Sequence, residues 1–217
     1  ISNWDTSNVT NMASMFYNCT QLTQLDVSNW DTSQVENMGS MFDDCFKLSN
    51  IIGIENFNTS KVTTIRAMFS DNAKLTRLDL SRWDVSKVTD MTAMFYCADK
   101  FNQPIGDWDV SNVTDMQSMF YYAEKFNQPI GDWNVSKVTN MSEMFKDSSF
   151  NGNISKWDVK GVEDMSMMFA GSKFNGDISK WDVSNVKDMS MMFYNCENFD
   201  KDISCWNLRS VQEFHSV

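Results

Sequence analysis

The feature that most constrains this chain is a repeat that returns every 24 to 27 residues. The octapeptide FNQPIGDW occurs at Phe101 and again, unchanged, at Phe126. A period of this length is typical of solenoids, in which each repeat buries its apolar side chains against the next. We therefore predict a single repeat domain over residues 1–217, with both ends inside a repeat. Its nine repeats are marked by an aromatic residue, at Trp4, Trp30, Phe57, Trp83, Trp108, Trp133, Trp157, Trp181 and Trp206.

Composition indicates an ordered chain and argues against two classes of partner. Of the 217 residues, 42% are hydrophobic and 13% are aromatic, which is enough for a continuous core. The net charge of -11 argues against nucleic acid and anionic lipid, because both attract clustered Lys and Arg. No apolar run approaches the roughly 20 residues of a membrane helix. We expect no nucleic-acid partner and no membrane insertion by this segment.

Several positions of the repeat are almost constant when they are counted from the aromatic residue as position zero. Plus five is Val in all nine repeats, and plus eleven and plus twelve are Met-Phe in eight. These apolar offsets follow helical spacing, and Ser recurs at plus three, where an N-cap belongs. Ser33 and Glu36 have the spacing of a capping box. We predict a short helical or 3₁₀ segment from about plus four to plus thirteen. The recurrent Val-Thr pair has a low helix propensity, so an extended form remains the alternative for part of this segment.

A second pattern precedes the aromatic residue. LTQLDVSNW (22–30) and LTRLDLSRW (75–83) match the leucine-rich-repeat pattern L-x-x-L-x-L, and later repeats carry FNxxI in the same place. The alternation of apolar residues predicts a short strand in each repeat. We therefore predict an α/β solenoid, a right-handed leucine-rich-repeat-like array. One parallel sheet would form just before each aromatic residue, with the short helical segments opposite.

The combination of these motifs resembles a known family. W-D-V-S-N-V-x-D-M-x-x-M-F followed by F-N-x-x-I-x-x-W is similar to the BspA-like leucine-rich-repeat family of bacterial surface proteins and lipoproteins. The similarity covers essentially the whole chain. It implies a surface-exposed solenoid, extracellular or at the cell surface, in a family whose members are proposed to act in attachment to host proteins or to other cells. It implies no catalytic residue, because the shared motif is the packing framework.

Position plus one invites a metal-binding interpretation, because it is Asp in six repeats and Asn in three. A stack of carboxylates could hold a Ca²⁺ ladder, but the dense D-x-D-x-D-G spacing of calcium loops is absent. Since Asn replaces Asp, we favour hydrogen bonding in turns and keep the Ca²⁺ ladder as the alternative. The Asn of the Phe-Asn pair is likewise interpreted as an internal ladder that satisfies turn backbone. We predict no metal site and no cofactor.

Residues suited to catalysis are scarce in the sequence. The one histidine, His215, lies close to the end of the chain, and paired carboxylates occur in every repeat without marking any of them. No Gly-rich phosphate loop occurs among the eight glycines. We therefore expect a protein that is not an enzyme.

The five cysteines form two pairs that the sequence leaves open. Cys19 and Cys45 share position plus fifteen in adjacent repeats, and Cys196 and Cys205 are separated by one loop. A disulfide is conceivable in either pair. For Cys19 and Cys45 we favour small buried thiols, because five is an odd number and no C-x-x-C motif occurs.

Position plus thirteen varies and is rich in tyrosine. Tyr17, Tyr96, Tyr121 and Tyr194 occupy it, and Tyr122 stands beside one of them. Tyrosine supplies contact area and a hydrogen-bonding tip, so these five are the candidate partner-binding residues. The alternative is that the rings only cover the Met-Phe segment.

Two classes of function follow from these patterns. The first is adhesion or protein–protein interaction, with a protein partner on another cell, host or matrix. The second is a structural spacer or building block of an extracellular filament or surface coat, in which the partners are neighbouring copies of the chain itself. The variable tyrosines and the family resemblance favour the first, while the near-verbatim repeats and the absence of polar caps favour the second.

Overall fold

Equivalent residues of successive repeats lie side by side in a computed structural model that describes residues 1–215. Parallel bridges join position plus seven of each repeat to the same position of the next. Each repeat therefore forms one coil of a solenoid, which confirms the solenoid predicted from the period. The bridged residues are Asn11, Asn37, Thr64, Asp90, Asp115, Asn140, Asp164, Asp188 and Glu213.

Regular strands are confined to the early repeats in the part of the chain that the structure describes. Strand β1 is Gln24–Asp26 and strand β2 is Asn50–Ile52, and they pair in parallel with Leu25 opposite Ile51. One further bridge links Asn50 to Arg77. The strand predicted before the aromatic residue is thus found in these repeats only, and the continuous ladder lies at plus seven instead. The prediction of one continuous sheet before each aromatic residue is therefore wrong.

In the later repeats, asparagine side chains form the hydrogen bonds between coils at the place where the strand was predicted. The backbone N–H of Asn127 donates to Oδ1 of Asn102 at 3.0 Å, and the same bond recurs from Asn151 to Asn127 and from Asn175 to Asn151. The amide oxygen replaces a backbone carbonyl as the acceptor between coils. The predicted asparagine ladder forms between neighbouring coils, but the prediction that it is internal is wrong, because Asn102, Asn127 and Asn151 are exposed.

The helical segment predicted from plus four to plus thirteen is wrong. Within residues 1–215 the one helix is the 3₁₀ turn η1, Ile54–Asn56, and no helix is long and apolar enough to cross a membrane. The backbone is left-handed at plus ten and plus fourteen of the first eight repeats, for example at Ser14 (φ 57°) and Asn18 (φ 57°). Since a right-handed helix admits no such residues, the chain forms successive turns.

These turns direct their hydrogen bonds in two directions. Within a coil, the N–H of Met15 donates to the carbonyl of Met12 at 3.3 Å, three residues back. Between coils, the N–H of Ser14 donates to the carbonyl of Gly39 at 2.9 Å. The predicted capping box is also absent, because the N–H of Ser33 donates to Oδ1 of Asp31 in a turn. The apolar spacing that resembled a helix belongs to overlapping turns.

The core consists of columns of equivalent side chains, and the predicted Val, Met and Phe columns are buried in it from the second to the seventh repeat. In the end repeats they are partly covered, and Met15 is 38% exposed. The rings of Phe95, Phe120 and Phe145 stack at centroid distances of 5.7 Å from one coil to the next. Indole N–H groups add a polar link, as when Trp133 donates to the carbonyl of Ile105 at 3.1 Å. Six other tryptophans make the same bond to the preceding coil, namely Trp30, Trp83, Trp108, Trp157, Trp181 and Trp206.

Candidate interaction surface

Positions plus thirteen and plus fourteen form a surface that we name the turn face. Hydrogen bonds between coils keep these positions in register: the N–H of Cys97 donates to the carbonyl of Tyr121, and that of Tyr122 to Lys146, both at 2.8 Å. Neighbouring repeats therefore place their turn-face side chains side by side. The turn face consists of residues 17–18, 43–44, 70–71, 96–97, 121–122, 146–147, 170–171 and 194–195.

Three of the five predicted tyrosines come together in the centre of the turn face. The rings of Tyr96 and Tyr121 stack with centroids 4.6 Å apart, and Tyr122 lies 6.4 Å from Tyr121. Tyr96 and Tyr121 are half-buried, whereas Tyr122 is 44% exposed. Burial is the largest cause that raises the pKa of Tyr96 to about 12, so its hydroxyl stays neutral. Within this cluster, Tyr122 therefore offers the ring most accessible to a partner.

A lysine covers one end of this stack. Nζ of Lys146 lies 5.1 Å from the ring centroid of Tyr121 and 3.2 Å from Oε1 of Glu143. An ammonium group over an aromatic face is attracted by the ring quadrupole. The turn face thus already holds one cation of the chain itself.

The other two predicted tyrosines are not part of this cluster. Tyr17 and Tyr194 are 52% and 59% exposed and belong to the first and eighth repeats. The intervening turn-face positions hold small or charged residues, among them Ser70 and Ala170. The predicted binding residues therefore divide into one central group and two isolated rings.

A group of carboxylates on the turn face was missed by the sequence analysis. Asp43, Asp44 and Asp71 each bring one oxygen to within 4.8 Å of the others. Burial is the main cause that raises the pKa of Asp43 and Asp71, against hydrogen bonds from Ser70. Among residues 1–215, no lysine or arginine forms an ion pair with the three. The sequence could have predicted this group, because positions plus thirteen and plus fourteen of the second and third repeats hold all three aspartates.

Cys97 connects the carboxylates to the tyrosines. Burial first, and then the charges of Asp71 and Asp99, raise the pKa of its thiol to about 12. The N–H of Asp71 donates to the carbonyl of Tyr96 at 2.7 Å, and the N–H of Cys97 donates to that of Tyr121 at 2.8 Å. The acidic part and the aromatic part of the turn face are therefore contiguous over repeats two to five.

The Asp and Asn residues at position plus one serve the turns, as predicted. The N–H and the hydroxyl of Ser86 both donate to Oδ1 of Asp84, at 3.0 and 2.6 Å. Asn134 accepts the same two bonds from Ser136. These bonds lower the pKa of Asp84, so its carboxylate stays charged. A role that Asp and Asn perform equally well explains why both occur.

Potential metal ligands and reactive groups are few in the described residues. Ca²⁺ is bound by about six to eight oxygens. Asp43, Asp44 and Asp71 bring together one oxygen each, which is fewer than this number. The His215 side chain is exposed, with Nδ1 3.6 Å from a carboxylate oxygen of Glu213.

All five cysteines are free thiols. Cys45 is buried, as predicted, whereas Cys19 is only half-buried, so the prediction of a buried thiol is wrong there. The thiol of Cys45 donates to the carbonyl of Phe16 at 3.1 Å, and burial raises its pKa to about 11. That of the exposed Cys205 donates to the carbonyl of Ser179 at 3.1 Å. No thiol of the described residues is therefore joined to another.

Comparison with known proteins gives one family match. The profile of the family described as "Mycoplasma protein of unknown function, DUF285" matches residues 1–76, 47–149 and 129–217. No curated protein matches the chain. Among solved structures, a leucine-rich repeat protein from Bacteroides ovatus ATCC 8483 is similar, with 15% sequence identity and a TM-score of 0.41. The alignment covers 95% of this chain and 64% of that chain, so this chain spans less than two thirds of that protein's length.

Proposed function

This chain belongs to the DUF285 family, and we propose that it is a non-catalytic repeat protein that binds other proteins through the turn face, in adhesion or a related interaction. We extend the proposal to an extracellular or cell-surface location and to a right-handed, leucine-rich-repeat-like coil. Support for both comes from the resemblance of the repeats to BspA-like surface proteins. The partner in this proposal is a protein on another cell, host or matrix.

The observation that carries the proposal is the irregularity of the turn face. The core columns repeat the same residues because each coil packs on its own kind. The turn face instead changes from Asp43 in the second repeat to Tyr121 in the fifth and Ala170 in the seventh. Tyr122 adds a ring that is 44% exposed where other repeats have small or polar residues. Exposed tyrosines that cluster on a rigid scaffold are frequent hot spots of protein interfaces.

The absence of catalysis in this proposal rests on how the polar residues of the repeats are used. The recurring Ser and Asp form hydrogen bonds within turns, as in the pair Ser111 and Asp109. Since the N–H at plus three donates to the side chain at plus one in all nine repeats, none is distinguished as a reaction site. His215 is exposed, and its neighbour within ion-pair distance is Glu213.

A pull-down from a host or neighbouring-cell surface extract tests the proposal. The bait is the wild type beside two variants, Tyr122→Ala and the triple variant Tyr96→Ala, Tyr121→Ala, Tyr122→Ala. Tyr194→Ala is the matched control, because it removes a ring from outside the cluster that is even more exposed than Tyr122, 59% against 44%. Capture that is lost in both cluster variants and kept in the control supports the proposal. Capture that persists in all variants, or that a calcium chelator alone abolishes, contradicts it.

A structural spacer or filament building block is the second candidate. The observation in its favour is that the coils are joined by the same backbone hydrogen bonds in every repeat, so that coils of one chain could also stack on another. Electron microscopy and analytical ultracentrifugation of the same sample examine this candidate. Ordered end-to-end polymers together with no captured partner would favour it over the first proposal.

A further inference from the structure

The turn face combines unpaired negative charge with exposed aromatic surface. Asp43, Asp44 and Asp71 have no ion-pair partner among residues 1–215, although their oxygens approach to within 4.8 Å. Half-buried charges are screened less by salt than fully exposed ones. A partner that brings positive charge to this point therefore gains more than it would elsewhere on the surface.

The chain itself shows which chemistry this surface accepts. The ammonium of Lys146 lies 5.1 Å from the ring centroid of Tyr121, and the ring of Tyr96 stacks on the same ring with a centroid distance of 4.6 Å. Tyr122 is the member of the cluster whose ring is left accessible. A cation from a partner would meet the aromatic side of the turn face in the same way as Lys146 does.

We infer that the turn face binds a cationic protein segment, whose arginine side chains lie on Asp43, Asp44 and Asp71 and whose neighbouring residues pack on Tyr122. The inference rests on the proposed function and adds the chemistry of the partner. Arginine fits better than lysine, because a planar guanidinium with five donors can bond to several carboxylate oxygens at once and stack on a ring. Lysine offers one compact and strongly hydrated charge.

A protein segment fits this surface better than a lone metal ion does. One oxygen from each of three side chains falls short of the about six to eight ligands that Ca²⁺ takes. The carboxylates also continue into the tyrosine stack, because backbone hydrogen bonds join Asp71 to Tyr96 at 2.7 Å and Cys97 to Tyr121 at 2.8 Å. An extended peptide can contact both parts together, whereas an ion would use the acidic part alone.

Titration calorimetry with short peptides tests the inference. The probe is a hexa-arginine peptide, with hexa-lysine and hexa-glutamate peptides for comparison. The double variant Asp43→Asn, Asp71→Asn removes two of the three charges. The matched control is Asp107→Asn, Asp132→Asn, which removes two exposed carboxylates at equivalent positions of adjacent repeats and changes the net charge equally. Because the asparagines relieve repulsion between buried charges, the first variant is expected to remain folded, which circular dichroism verifies.

The expected result is that hexa-arginine binds more tightly than hexa-lysine, and hexa-glutamate not at all. Loss of Asp43 and Asp71 should weaken hexa-arginine by about tenfold, while the control pair changes it little. Tyr122→Ala should weaken it as well. Equal weakening in the two double variants would show diffuse attraction by net charge and overturn the inference. Displacement of the peptide by Ca²⁺ in the wild type alone would assign the carboxylates to a metal and overturn it too.

The inference and the proposed function can fail separately. A surface protein captured through the tyrosines, but bound equally well by the Asp43→Asn, Asp71→Asn variant, would overturn the cationic partner and leave the proposed function intact. The absence of any captured protein would overturn the proposed function whatever the peptides show.

Discussion

Replacement of Phe120 by alanine tests whether the aromatic columns hold the coils together. Phe120 is fully buried in the fifth repeat. Its ring stacks on Phe95 and Phe145 at 5.7 Å and on Phe126 at 3.9 Å. The side chain therefore contributes to the core of its own coil and to the contacts with both neighbouring coils.

The expected loss is large for a single substitution. Removing a buried Phe side chain costs about 3 to 5 kcal/mol, through lost burial and the cavity that remains. The stacking contacts are part of that figure and are not added to it. Since the stability of a solenoid is the sum of coil and interface terms, the loss falls on the two interfaces beside the fifth coil. We expect Phe120→Ala to unfold at lower denaturant concentration, with a broader or divided transition.

Urea denaturation followed by circular dichroism and tryptophan fluorescence measures this effect. Lys137→Ala is the control, because Lys137 is exposed and its Nζ contacts only Oδ1 of Asn112 at 2.6 Å among the described polar groups. Its free energy of unfolding should change by no more than about 0.5 kcal/mol. Equal losses in the two variants would refute the assignment of buried and exposed columns.

Three further predictions concern individual polar groups. Trp133→Phe keeps a ring but removes the indole donor to the carbonyl of Ile105, which retains its bond from the N–H of Trp108 at 3.2 Å. The free energy of unfolding should therefore fall by about 0.5 to 1.5 kcal/mol in urea denaturation, and an unchanged value would contradict this. Burial raises the pKa of Asp43 and Asp71 above 3.8, so the folded state holds the protons of these carboxyl groups more tightly than the unfolded state does. The stability that the two groups contribute is therefore lost as pH rises through their raised pKa values. The double variant Asp43→Asn, Asp71→Asn should raise the Tm at neutral pH. Hydrogen bonds from Ser111 lower the pKa of Asp109 below 3.8, so the stability that its charge contributes is complete above that pH and is lost on acidification. Asp109→Asn, which keeps an acceptor but not the charge, should lower the Tm at neutral pH by less than Asp109→Ala does and should reduce the loss in acid; an equal fall in the two variants would argue against the turn role.

Much of the fold could be predicted from the positions that repeat. Val113, Met119 and Phe120 stand in nearly constant columns, and all three are buried. The Asp and Asn of position plus one were assigned to turns because they interchange, and hydrogen bonds such as Ser86 to Asp84 confirm this. These predictions succeeded because a coil that packs on a copy of itself needs the same side chain in the same place.

The interaction surface could be predicted only in part. The variable column at plus thirteen led to Tyr96, Tyr121 and Tyr122, which the structure brings together. The carboxylates of Asp43 and Asp71 were missed, because a column read one position at a time does not show that plus thirteen and plus fourteen of adjacent repeats share a surface.

The sequence by itself determined the period and the choice of side chains that face the core. It did not determine where the backbone hydrogen bonds go, because apolar residues spaced by three fit both a helix and a series of overlapping turns. Only the tertiary structure decided this: the N–H of Phe16 donates to the carbonyl of Met41 in the next coil at 2.9 Å. Left-handed residues at plus ten and plus fourteen allow that bond and exclude a helix. The neighbouring coil supplies the acceptors that a helix would have supplied from within, and so the turns, and the face they present, exist only in the assembled solenoid.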